Sequence, residues 1–190
     1  MVATAVEIAQ GEVILRQLAT QVGLSGAMER LLVYRNQYRP TSNPNFWAII
    51  NFTLHSSEPR LYIFNQQVNV VERYLCAHGL GSEGVKDDGC AEIFSNDDGS
   101  NCSSLGIYRC ADTYFGEHGK SLKLDGIEAT NFNARARYIV MHGATYVSKK
   151  HIRRTGRIGR SLGCPAVEMA HIPKLPDQLR GGSLLIIFKD

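Results

Sequence analysis

Over residues 4 to about 36, apolar positions recur at three- and four-residue spacing. Val6, Ile14, Leu15 and Leu18 form one set and Ala27, Leu31 and Leu32 another, which predicts helix. The stretch GLSG at 23–26 breaks this into two helices, with Ser25 placed to cap the second. The turn-rich RPTSNPN at 39–45 predicts a linker, and the domain boundary is set there. Residues 1–45 then form a helical appendage with its linker, and residues 46–190 the main domain. From residue 46 the pattern changes to short apolar runs of strand length. FWAIINFTL comes first, RLYIFNQ and VNVVERYLC flank a hairpin turn, and SSLGIYRC, SLKLDGI, RYIVMHGA and GSLLIIFKD follow. Between them lie loops rich in Gly, Asp and Asn. There is no βαβ alternation and no internal repeat. The reading is a mainly β domain, a sandwich or barrel with short helices, carrying an N-terminal helical appendage.

Bulk composition narrows the class. With 190 residues, 44% hydrophobic and 21% charged, the chain can bury the core of one globular domain. Disordered, collagenous and coiled-coil compositions are excluded. No run of 18 apolar residues occurs, so no membrane span is expected. The N-terminus has no basic segment before its apolar one, and Glu7, Glu12 and Arg16 interrupt the latter. The segment does not read as a signal peptide. Either the protein stays inside the cell or an export signal has been removed.

The net charge is only +3, but it is unevenly spread. Ala129 to Val167 holds no Asp or Glu, while Arg135, Arg137, Lys149, Lys150, Arg153, Arg154, Arg157 and Arg160 all fall inside it. Such a segment is either a solvated loop or an electrostatic funnel for an anionic partner. The funnel is favoured because the segment runs into GRSLGCPAV and Cys164. The motifs DDGS and KDDGC lack the full calcium-loop spacing, so turn chemistry explains them better.

Five cysteines are present. Cys76, Cys90, Cys102 and Cys110 cluster, with no C-x-x-C pair, and are equally consistent with two disulfides or with small core residues. Cys164 stands apart, between Gly163 and Pro165. Proline suits the first position of a helix, so a short helix from 165 would place Cys164 at its N-cap. There the helix dipole would lower the thiol pKa, and free N–H groups would be available for an oxyanion. Gly163 would let a substrate approach the backbone. The matching base is His142, which ends the strand RYIVM next to Gly143. His151 and His171 are weaker candidates, and His55, His78 and His118 are placed to line the same cleft.

HGA at 142–144, a following stretch rich in Arg and Gly, and GRSLGCPAV together resemble the catalytic motif of the YkuD-type L,D-transpeptidases. Within them the chain is most similar to the murein L,D-transpeptidase catalytic domain family. AHGLGSE, FSN, SSLGIY, YFGEHGKSLKLDGIE and NARARYIVMHGATYVS extend the likeness over roughly 47–188, and the N-terminal 45 residues carry none of it. The resemblance implies a β-rich fold and a cysteine enzyme without cofactor or metal. It implies Cys164 as nucleophile, His142 as general base and the Gly143 carbonyl as the group that orients the imidazole. The N–H groups of Gly163 and Cys164 would form the oxyanion hole. The substrate would be a peptidoglycan stem peptide, attacked to give a thioester with loss of terminal D-alanine. The implied location is the periplasm or cell envelope. Arg160 and Arg157 are the expected clamps for stem-peptide carboxylates, with Ser161, Tyr146 and Tyr108 along the cleft. Two positions depart from the commoner motif: Leu162 stands where relatives have histidine, and Ala166 where they have Arg or Asn.

Two other outcomes compete. A hydrolase would share the thioester and resolve it with water. A binding module for an anionic polymer would use the basic segment alone, but that segment lacks interleaved aromatics and any nucleic-acid motif, and nucleic acid is not an expected partner. A papain-like peptidase places its cysteine before its histidine, the reverse of the order here.

Overall fold

The computed structural model describes residues 5–38 and 45–190. Two helices, α1 (Ala5–Gln21) and α2 (Ser25–Tyr38), precede the strands β1 (Phe46–Asn51), β2 (Leu61–Asn65) and β3 (Val70–Tyr74). Then come β4 (Gly106–Gly116), β5 (Gly119–Gly126), β6 (Val140–Ala144), α3 (Lys149–Thr155), β7 (Ala166–Glu168), α4 (Leu175–Leu179) and β8 (Leu184–Phe188). The eight strands form one sheet in the order β3-β2-β1-β8-β4-β5-β6-β7, curled into a nearly closed barrel. The mainly β fold with two N-terminal helices is as expected. The linker proposed at 39–45 lies almost wholly outside the described residues.

The period-two geometry of a strand explains how the helices attach. In β1, Ala48 and Ile50 point into the barrel, while Trp47 and Ile49 point outward. In β2, Leu61 and Ile63 go in and Tyr62 and Phe64 out; in β8, Leu185 and Ile187 go in and Leu184 and Ile186 out. The outward set is buried under Leu15, Leu18, Met28, Leu31 and Leu32 of α1 and α2. These strands therefore read as continuous apolar runs, because both faces are covered. The two helices share a core with the sheet.

Two local expectations fail. The segment after Pro165 is strand β7 followed by a 3-10 turn at Met169–His171, so no helix starts there and Cys164 is not an N-cap. Residues 166–168 take the extended form because they pair in parallel with β6, His142↔Ala166 through Ala144↔Glu168. Tertiary pairing overrides the local preference of proline for a helix start. Conversely, part of the basic segment is helix: α3 is capped by the Ser148 side chain, which accepts from the His151 N–H at 3.2 Å, and ends at Gly156, with φ 79°.

Candidate functional site

The parallel pairing of β6 with β7 brings His142 and Cys164 to one place. Both line a cleft of about 630 Å³ with Glu117, His118, Tyr146, Arg160 and Ser161. His142 is buried, and its Nδ1 lies 3.1 Å from the Gly143 carbonyl oxygen. That contact makes Nδ1 the donor and leaves Nε2 as the acceptor nitrogen. Burial, the largest influence, holds the His142 pKa below its ordinary value and favours the neutral ring.

Cys164 is half-buried. The Val140 N–H points at its Sγ from 3.4 Å, and Sγ lies 3.6 Å from the Tyr138 carbonyl oxygen. Burial pushes the Cys164 thiol pKa up, against the opposing pull of the Val140 N–H and the Arg137 charge. Burial thus favours the thiol over the thiolate at this sulfur. This replaces the expected dipole-lowered thiolate, since no helix begins at this cysteine.

Ser161 shapes the turn before the sulfur. Its hydroxyl donates to the Cys164 carbonyl at 2.6 Å and accepts from the Gly163 N–H at 3.2 Å. Gly163 has φ 120°, and a Cβ there would lie 2.8 Å from the Cys102 carbonyl oxygen, so only glycine fits the turn. Of the two expected oxyanion donors, the Gly163 N–H is occupied by Ser161. The Cys164 N–H makes no hydrogen bond among the described residues.

The remaining expected site residues divide. Tyr146 lines the cleft, packed on the backbone of Gly159, and burial drives its pKa to about 12. Tyr108 does not line it: the ring is fully buried in the barrel core and its hydroxyl donates to the Ser104 carbonyl at 2.8 Å. Its inward register on β4 decides this. Arg160 reaches the cleft but pairs with Glu83 (2.5 Å) and Asp87; Arg157 pairs with the same two carboxylates and does not line the cleft. Arg137 donates to the Ser95 and Cys102 carbonyls, and Arg135 pairs with Asp125. The segment is acid-free along the chain but not in space: Arg135, Arg157 and Arg160 meet carboxylates, while Lys149, Lys150, Arg153 and Arg154 on α3 are exposed, so the arginines nearest Cys164 are the neutralised part of the expected funnel.

The other histidines scatter. His55 sits on the Asp88 carbonyl, His171 faces Glu168 at 3.3 Å, and His78 is buried against Arg60. Only His118 joins His142: the rings stack with centroids 4.3 Å apart and 20° between planes. All five cysteines are free thiols, with Cys76, Cys102 and Cys110 buried in the protein interior. Among the described residues, no helix is long and apolar enough to cross a membrane.

Comparison with solved structures finds an L,D-transpeptidase, LdtMt1, in complex with imipenem, at 8% identity and TM-score 0.45. The match covers 76% of this chain and 59% of that one. An L,D-transpeptidase from Mycobacterium smegmatis matches at 10% identity and TM-score 0.44, over 76% and 58%. One from Xylanimonas cellulosilytica matches at 14% identity and TM-score 0.40, over 92% and 77%. The chain thus spans less than two thirds of the first two structures. No curated protein matches the chain. The L,D-transpeptidase catalytic domain family, YkuD_2, matches residues 19–188, a span that begins inside α1 and includes all of α2. With nearly its whole length matched, from the end of α1 through β8, the chain belongs to the YkuD-type L,D-transpeptidase catalytic domain family.

Proposed function

We propose that the protein is a cysteine L,D-transpeptidase acting on peptidoglycan stem peptides in the cell envelope. The observation that carries this reading is the shared cleft of Cys164 and His142, with Nδ1 of the base held on the Gly143 carbonyl. The chemistry follows from the two resting states. His142 Nε2 takes the proton from Cys164 Sγ, and the sulfur attacks the carbonyl carbon that precedes the terminal D-alanine of a tetrapeptide donor. The Cys164 N–H faces the resulting oxyanion. A second donor becomes available once the Gly163 N–H leaves the Ser161 hydroxyl. Collapse breaks the C–N bond, His142 returns the proton to the leaving amine, and free D-alanine departs from a thioester. An acceptor amine then attacks the thioester, its proton passes through His142, and the thiol is restored. Arg160, Ser161 and Tyr146 line the donor's path, and Arg157 holds the carboxylates that orient Arg160.

The test is intact mass after incubation with muropeptide tetrapeptides, or with a carbapenem, for wild type and Cys164→Ala. An adduct on wild type alone, with D-alanine released, is the expected result. Cross-linked dimers identify transfer, and trimmed monomers identify hydrolysis of the same thioester. A folded protein that forms no adduct and releases no D-alanine overturns the reading.

A further inference from the structure

We propose that His118, at the tip of the β4–β5 hairpin, is a positioning residue for His142, its ring forming the wall that holds the imidazole in its working orientation. This rests on the reading of Cys164 and His142 as a nucleophile and base.

The hairpin is built to deliver this contact. Gly116 pairs with Gly119, so the loop is only Glu117 and His118, and Gly119 takes φ 73° to close it. Strand β5 pairs in turn with β6 through Leu122↔Met141, antiparallel, which runs the hairpin tip toward the C-terminal end of β6, whose middle residue is His142. The hairpin tip is exposed, His118 included, yet one face of its imidazole lies nearly parallel to the buried His142 ring, with centroids 4.3 Å apart. An offset aromatic pair of this kind restrains ring rotation. The Gly143 carbonyl fixes one nitrogen of His142, and the stacked face of His118 adds a restraint on the plane of the buried ring.

The stack also has an electrical consequence. A proton on His118 sets a positive charge against the His142 ring and opposes its protonation, adding to the effect of burial. The other ionisable groups around the cleft are Glu117 on the hairpin, Tyr146 after β6, and Arg160 and Cys164 on the loop before β7. Glu168 lies beyond them on β7, facing His171. Arg160 is already paired with Glu83 and Asp87. His118 is thus the cation-forming group in direct contact with the base.

The experiment measures alkylation of Cys164 by iodoacetamide, in which sulfur displaces iodide from carbon and the thiol proton leaves through the base. Peptide mass mapping isolates Cys164 from the other cysteines, and no assumption about the natural substrate is needed. Rates across roughly pH 5 to 9 are compared for wild type, His142→Ala, His118→Ala and His118→Phe. His118→Ala is expected to lower the high-pH rate on the order of tenfold. His118→Phe keeps the aromatic wall and is expected to recover most of that loss. It also removes the neighbouring charge, so the rise in rate that follows deprotonation of His142 moves to higher pH. If His118→Ala matches wild type in rate and pH profile while His142→Ala is slow, the role of His118 is wrong and the pair stands. If His142→Ala itself matches wild type, the nucleophile–base reading fails, and this inference fails with it.

Discussion

The Nδ1 atom of His142 lies 3.1 Å from the carbonyl oxygen of Gly143, the next residue in the chain. The ring is thus held by its own backbone, with no carboxylate partner among the described residues, and His142 is the middle residue of β6, a strand pinned between β5 and β7. In the proposed mechanism, with burial favouring the Cys164 thiol, proton removal by His142 is the step on which reactivity turns. His142→Ala is expected to slow acylation by a carbapenem roughly 10²- to 10⁴-fold without loss of fold. Stopped-flow or mass-resolved acylation kinetics decide it. A variant within a few-fold of wild type would remove His142 from the base role.

The turn before the sulfur should tolerate almost no side chain at Gly163. An alanine Cβ there would lie 2.8 Å from the Cys102 carbonyl oxygen and 2.9 Å from Ile139 Cδ1, on a backbone with φ 120°. Strain of this kind costs about 1–3 kcal/mol for the backbone conformation alone, before the steric contact is added. Urea denaturation of Gly163→Ala should show a lower midpoint with the slope unchanged. A loss under about 0.5 kcal/mol, typical of a neutral surface change, would contradict the turn geometry described here.

Arg157 and Arg160 share Glu83 and Asp87 but differ in what else they face. The Glu83 side chain is only 2% exposed, so removing either guanidinium leaves a buried carboxylate short of a partner. Both Arg157→Ala and Arg160→Ala should therefore lower thermal stability. Only Arg160 also lines the cleft, so only its loss should raise KM for a tetrapeptide donor, by about tenfold or more for a charge-assisted contact. Equal KM values in the two variants would assign both arginines a purely structural task.

His78 gives the fold a pH dependence whose sign is set. Its Nδ1 faces Arg60 Nη2 at 2.6 Å, and its Nε2 has no hydrogen-bond partner among the described residues. Burial, then the charges of Arg60, Arg160 and Arg157, pushes its pKa down to about 3. The unfolded chain takes up a proton here below about pH 6.5, while the folded protein does not until near pH 3. Stability is therefore present above pH 6.5 and is lost as pH falls, at about 1.4 kcal/mol per pH unit from this residue. Urea midpoints at neutral and mildly acidic pH should show that slope in wild type and a shallower one in His78→Gln. His142 contributes with the same sign in both proteins, so an unchanged slope in the variant would rule His78 out.

What the sequence determined by itself is what depends on local pattern and on ordered motifs. The three- and four-residue spacing around Leu15, Leu18, Leu31 and Leu32 marked the two helices, and strand-length apolar runs marked β1, β2, β6 and β8. HGA and GRSLGCPAV, in order, pointed to the family. Tertiary structure decided what depends on residues far apart in the chain. Pairing of β7 with β6 made strand of a segment whose proline suggested helix, and so changed how the Cys164 thiol is tuned. Glu83, Asp87 and Asp125 folded against a segment that is acid-free in sequence, because charge balance is settled in space. Strand register sent Tyr108 into the core. A two-residue loop carried His118 onto His142 across a span of chain that no periodicity relates. Covalent order sets which groups a chain carries and what each short segment prefers. Which groups meet, and hence their pKa and reactivity, follows from long-range packing, where burial and neighbouring charge outweigh local preference.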